Sequence, residues 1–107
     1  MPDDESRDHG VQPLAALMAR WGVSNHELVE ASPEQLTHKQ ARKAVNGRQL
    51  TLHLMQKVTR ALNDAVMAKL DESQRGSFVP YLHKHLFNYA KNHDPAAVDP
   101  NEALMPR

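Results

Sequence analysis

Residues 36–51 read LTHKQARKAVNGRQLT. Thr37 or His38 starts a helix here, and Asn46-Gly47 ends it, because a glycine readily takes the left-handed turn that closes a helix. The helix between these marks runs from about Lys39 to Val45. Ala41, Ala44 and Val45 form a thin apolar stripe, and its small side chains let the helix lie close against its neighbours. Steps of three and four residues put Lys39, Arg42, Lys43 and Asn46 together on the opposite side. The stretch is therefore a helix with a small buried face and a basic outer one.

Working outward, every further periodic segment is also helical. Pro13 suits a first turn, and Leu14, Leu17, Met18 and Trp21 keep helical spacing up to Gly22, so a helix is expected over about 12–21. Ser24 followed three residues later by Glu27 is a capping box. It opens a helix from Asn25 to Ala31, stopped by Ser32-Pro33. A longer helix starts near Thr51 and reaches Leu70, with Leu54, Met55, Val58, Ala61, Leu62, Ala65 and Val66 in near-heptad rhythm. Gly76 and Pro80 bracket a break, and a last helix is expected over about 81–91, with Leu82, Leu86, Tyr89 and Ala90 on one face. No stretch alternates apolar and polar residues as a half-buried strand does. The expected class is all-α. Residues 1–11 read as a disordered acidic arm, residues 12–93 as the helical domain, and residues 94–107, with their prolines, as a disordered or extended tail.

Charge is segregated along this chain. Its net charge is zero, yet no acidic residue lies between Gln35 and Asn63, where Lys39, Arg42, Lys43, Arg48, Lys57 and Arg60 fall. The first 34 residues hold seven carboxylates against Arg7 and Arg20. Ordinary solvated faces mix signs. A basic block on amphipathic helical sequence is the electrostatic footprint of a phosphate-binding surface. The acidic arm is a candidate competitor for that surface within the chain.

Three stretches, LMARWGVSNHELVEAS at 17–32, LTHKQARKAVNGRQLT at 36–51 and VTRALN at 58–63, carry a resemblance to the lambda-repressor/Cro-type helix-turn-helix family over residues 14–63. The resemblance implies a four-helix helix-turn-helix core, here with one C-terminal helix added. It makes the helix at about 38–46 the reading element, with residues at its start and outer face meeting base edges in a major groove about 12 Å wide. Carried onto this chain, the implied DNA-binding residues are Asn25, Thr37, His38, Lys39, Arg42, Lys43, Asn46 and Arg48. Two departures stand out. The turn SPEQL (32–36) lacks the family's glycine and is about two residues longer, and Val29 replaces the usual alanine.

Other chemistries find little support. There is no cysteine, which excludes disulfides and thiolate metal sites. His83 and His85 are two apart on an expected helix and point in different directions, so no metal site is expected. No nucleophile elbow or glycine-rich phosphate loop occurs, and neither enzymatic activity nor a cofactor is expected. The absence of aromatic residues in the basic block argues against single-stranded nucleic acid. No apolar run approaches the ~20 residues of a membrane span, and the expected location is the cytoplasm. The expected function is double-stranded DNA binding as a transcriptional regulator. A homodimer through residues 64–93 is a further possible association. The alternative is a protein-interaction adaptor that keeps the fold without using DNA.

Overall fold

The computed structural model describes residues 9–105. It is all-α: α1 (Pro13–Trp21), α2 (Asn25–Ala31), α3 (His38–Asn46), α4 (Leu52–Lys69), α5 (Glu72–Arg75) and α6 (His83–Leu86), then a 3-10 turn at Glu102–Leu104. Each of the first four helices begins and ends where its local chemistry dictates. Gly22 takes φ 69°, and the Val23 N–H reaches back to the Met18 carbonyl to close α1. The Ser24 hydroxyl accepts from the Glu27 N–H while the Glu27 carboxylate accepts from the Ser24 N–H, so α2 opens on a complete capping box. Thr37 and Gln40 do the same for α3. The Thr51 hydroxyl caps α4.

The core gathers Leu14 of α1, Leu28 of α2, Ala41 and Ala44 of α3, and Val58, Ala61, Leu62 and Val66 of α4. Both alanines of α3 are fully buried, so this helix meets its neighbours at close range through small side chains. The near-heptad face of α4 is core, covered by α2 on one side and by Leu86 and Phe87 on the other.

The C-terminal third departs from the expected pattern. A helix over 81–91 is reduced to His83–Leu86. Phe87 takes extended angles, which turns its ring wholly into the core; on a continued helix it would leave the Leu82/Leu86 face. The same break lets the Asn88 N–H donate to Gln12 Oε1 (2.8 Å) and the Tyr89 hydroxyl accept from the Leu50 N–H (3.0 Å). Short α5, also unexpected, is held by a capping box between Asp71 and Gln74.

Residues 78–82 belong to no helix and are held by two asparagines. Asn63 Oδ1 accepts from the Tyr81 N–H (2.7 Å) and its Nδ2 donates to the Tyr81 carbonyl (3.0 Å). Asn101 pairs with Val79 in the same way, at 2.7 and 2.8 Å. Each carboxamide supplies the donor and acceptor that a neighbouring strand would. The tail, expected to be disordered or extended over 94–107, is instead packed through residue 105: Asn101 and Met105 are buried, and Asp99 accepts from the Tyr81 hydroxyl (2.9 Å). Residues 106–107 lie outside the described residues. That hydroxyl also accepts from the Trp21 indole N–H (3.0 Å), tying the tail, the 78–82 segment and α1 together. In residues 64–93, the region considered for a dimer, the large apolar side chains left exposed among the described residues are Val79 and Leu82.

The described end of the arm, residues 9–11, runs beside the α3–α4 turn. Residues 1–8 lie outside the described residues. Residues 9–11 are bound to the fold, not loose: the His9 N–H donates to the Gly47 carbonyl (2.8 Å), and the His9 ring stacks on Tyr89 with centroids 4.2 Å apart. Gln12, almost wholly buried, donates to the Gly10 carbonyl (2.8 Å). Gly47 has φ 90°, and a Cβ there would fall 1.6 Å from the Gly10 oxygen. Conformation and contact both demand glycine at this position.

Gly47→Ala should therefore cost about 2 kcal/mol or more in urea denaturation, and only about 1 kcal/mol when residues 1–10 are also deleted, since the left-handed backbone penalty alone then remains. An equal penalty in both backgrounds would remove energetic weight from the close approach. Burial pushes the Tyr81 hydroxyl from its ordinary 10 up to about 12, against the opposing pull of the Trp21 N–H. The unfolded chain therefore loses this proton first. The associated stability is fully present below about pH 10 and is lost as pH rises through about 12. Stability measured between pH 9 and about 11.5 should fall by up to one proton's linkage less steeply in Tyr81→Phe than in the parent.

Candidate functional site

The basic block divides into two groups. Lys39, Arg42, Lys43 and Asn46 are all exposed on one side of α3, opposite buried Ala41 and Ala44. None of the three cations makes an ion pair or hydrogen bond with a described residue through its side chain. The second group lies on α4, where His53, Lys57 and Arg60 follow one another at helical spacing. All three bring positive charge toward Glu34 of the α2–α3 turn. Arg60 grips Glu34 with two parallel contacts, Nε to Oε1 and Nη2 to Oε2, the latter 2.8 Å. This pairing, above all, holds the Glu34 carboxyl below its ordinary range. Lys57 donates to Gln40 Oε1 at 3.4 Å, so it leans on the start of α3.

Residues 32–37 separate α2 from α3. The Ser32 hydroxyl accepts from the Glu34 N–H (3.2 Å) and the Leu36 N–H (3.3 Å), folding the segment back on itself. Gln35 takes φ 57°, supplying the left-handed step for which the turn has no glycine. Leu36 then anchors the segment in the core. The unusual turn is thus held at three points: the Ser32 hydroxyl, the buried Leu36 side chain and the Glu34–Arg60 pair.

The remaining residues expected to bind DNA sit around the α3 face in different states. Thr37 is exposed, but its oxygen accepts from the Gln40 N–H at 3.1 Å, which leaves the hydroxyl proton to give to a ligand. Asn25 is the first residue of α2 and half-buried. His38 is exposed at the start of α3. Its ring is stacked on that of His26, with centroids 5.7 Å apart and planes 14° from parallel. His26 also lies 3.6 Å from Glu30. This histidine was not among the expected site residues; its place in the first turn of α2, next to Asn25, was the available signal. Arg48 lies past the end of α3 on the clamped turn, where its N–H donates to the Lys43 carbonyl and its own carbonyl accepts from Tyr89.

The arrangement is an open, donor-rich ridge: four side chains on α3, with the His26–His38 pair at one end and the glycine-closed turn at the other. It is suited to a polyanion that lies along a helix. No helix among the described residues is long and apolar enough to cross a membrane. Comparison with protein-family models, with curated proteins and with solved structures gives no match.

Gln35→Gly should stabilise the protein by about 0.5–1 kcal/mol, because the relief of a left-handed L-residue exceeds the added chain entropy. Gln35→Val, branched at Cβ, should destabilise it by about 1 kcal/mol. Urea denaturation of the two variants checks this; equal and small shifts would contradict the reading of the turn.

Proposed function

We propose that this protein binds double-stranded DNA as a transcriptional regulator of helix-turn-helix type, with α2 and α3 as the helix pair and α3 as the element entering the major groove. The observation that carries this reading is the exposed face of α3, where Lys39, Arg42, Lys43 and Asn46 stand together with no carboxylate among them. Arg42 is suited to bidentate pairing with guanine O6 and N7, and Asn46 to adenine N6 and N7. Lys39 and Lys43 are suited to phosphates on either side. His38 and Asn25, at the starts of the two helices, are suited to contacts with the phosphate backbone. The family resemblance of residues 14–63 supports the same orientation, and the turn at 32–37 lengthens the separation of the helices without removing the capping that orients α3.

A role in protein–protein interaction is the second reading. The observation favouring it is that Glu34 engages Arg60 and Gln40 engages Lys57, so part of the cationic block serves the fold.

Fluorescence anisotropy with a labelled mixed-sequence duplex at low salt separates the two. Under the DNA reading the parent binds, log K falls by about 0.9 per log salt for each phosphate neutralised, and Arg42→Ala/Lys43→Ala weakens binding at least about tenfold with helix content unchanged. Absence of binding at low salt, or binding indifferent to the double substitution, would defeat it.

A further inference from the structure

On the side of the molecule built from both chain ends, α1, α6 and the tail enclose a groove of about 780 Å³. That volume is in the range of small-molecule sites. Leu17 contributes to its floor, and Val11 and Val98, 73% and 75% exposed, form apolar lips on opposite chain segments. Its polar groups are lopsided in what remains available. The tail carboxylates accept hydrogen bonds within the chain while keeping their charge: Asp99 accepts from the Tyr81 hydroxyl and the Asn101 N–H, and Asp94 Oδ1 accepts from the Ala96 N–H. On the helical side, Arg20 and Lys84 have no side-chain partner among the described residues.

The histidines there have assignable tautomers. His85 Nδ1 accepts from the Leu82 N–H (2.8 Å), which puts the proton of the neutral ring on Nε2. Burial, then the Lys84 charge, holds this ring toward its neutral form. His85 thus offers one further donor. His93 Nδ1 lies 2.7 Å from the Lys84 carbonyl, which only accepts, so its proton is on Nδ1.

The groove therefore has one cationic and donating wall, formed by Arg20, Lys84 and His85, facing tail carboxylates that are hydrogen-bonded within the chain, over an apolar floor and lips. From this we propose that the groove binds a small organic carboxylate with an apolar body, its carboxylate held by Arg20 and Lys84 with His85 Nε2–H, and its body between Leu17, Val11 and Val98. The assignment is independent of the duplex reading. It also has a structural consequence. Val11 is continuous with Gly10, which lies on Gly47, and with Gln12, which accepts from Asn88, so occupancy of the groove bears on the segment that clamps the α3–α4 turn.

The test is an isothermal or NMR titration of the full chain with 4-phenylbutyrate and, separately, with the neutral 4-phenylbutan-1-ol. Saturable binding of the carboxylate is expected, at least tenfold tighter than that of the alcohol. It should weaken at least tenfold in Arg20→Gln/Lys84→Gln and again in Val98→Glu, each verified as folded by circular dichroism. Failure of the carboxylate to saturate, equal binding of the alcohol, or parent-like binding by the folded variants would overturn the proposal.

Discussion

The backbone of Gly10 lies so close to that of Gly47 that no side chain fits between them, and the placement of α3 depends on this contact. Gly47 closes α3, and the residues after it start the approach to α4. His9 stacks on Tyr89 beside this turn, Tyr89 bonds Leu50 and Arg48 across it, and Gln12 ties the incoming segment to Asn88. Residues 9–12 and residues 88–89 thus meet at the C-terminal end of α3. Its buried side consists of alanines, which give little grip of their own. The clamp compensates for that thinness by fixing the end of the helix through backbone and ring contacts.

A second constraint acts at the other end of α3. The α2–α3 turn has no glycine, and it is stabilised by Ser32, Leu36 and the Glu34–Arg60 pair, with Gln35 in a left-handed conformation. This explains why the basic residues of the middle stretch divide. Those on α4 face an acidic residue and serve to hold the turn, while those on α3 face water. Residues contiguous in the charge pattern have different duties because they lie on different helices: Arg60 of α4 pairs with Glu34 of the turn and Lys57 with Gln40, while Lys39, Arg42 and Lys43 are exposed on the outer side of α3.

The first four helices were legible because the signals that delimit them are local: Ser24 with Glu27, Thr37 or His38, Gly22, Gly47 and Thr51 each act within four residues. The α3 face was legible for the same reason, as helical register alone puts Lys39, Arg42, Lys43 and Asn46 together. The C-terminal third was not. Its shape rests on Asn63 with Tyr81, Asn101 with Val79, and Gln12 with Asn88, pairings between residues 18, 22 and 76 positions apart. Local pattern sees Leu82, Leu86 and Tyr89 as a helix face and cannot see that Phe87 has the deeper core position. At the candidate site, Arg60 with Glu34 and His26 with His38 are likewise contacts across elements, invisible to spacing along the chain.

The groove and the α3 ridge are on separate parts of the fold but share the Gly10–Gln12 segment, so chemistry at one is mechanically adjacent to the other. The central claim is that α3 presents its outer side to a duplex. Backbone amide shifts recorded by NMR as a short duplex is added test it most directly. The account predicts that the largest perturbations fall on residues 37–46 and on the first turn of α2, with α5 and the tail quiet. Perturbations centred instead on residues 77–100, or none at all, would contradict it.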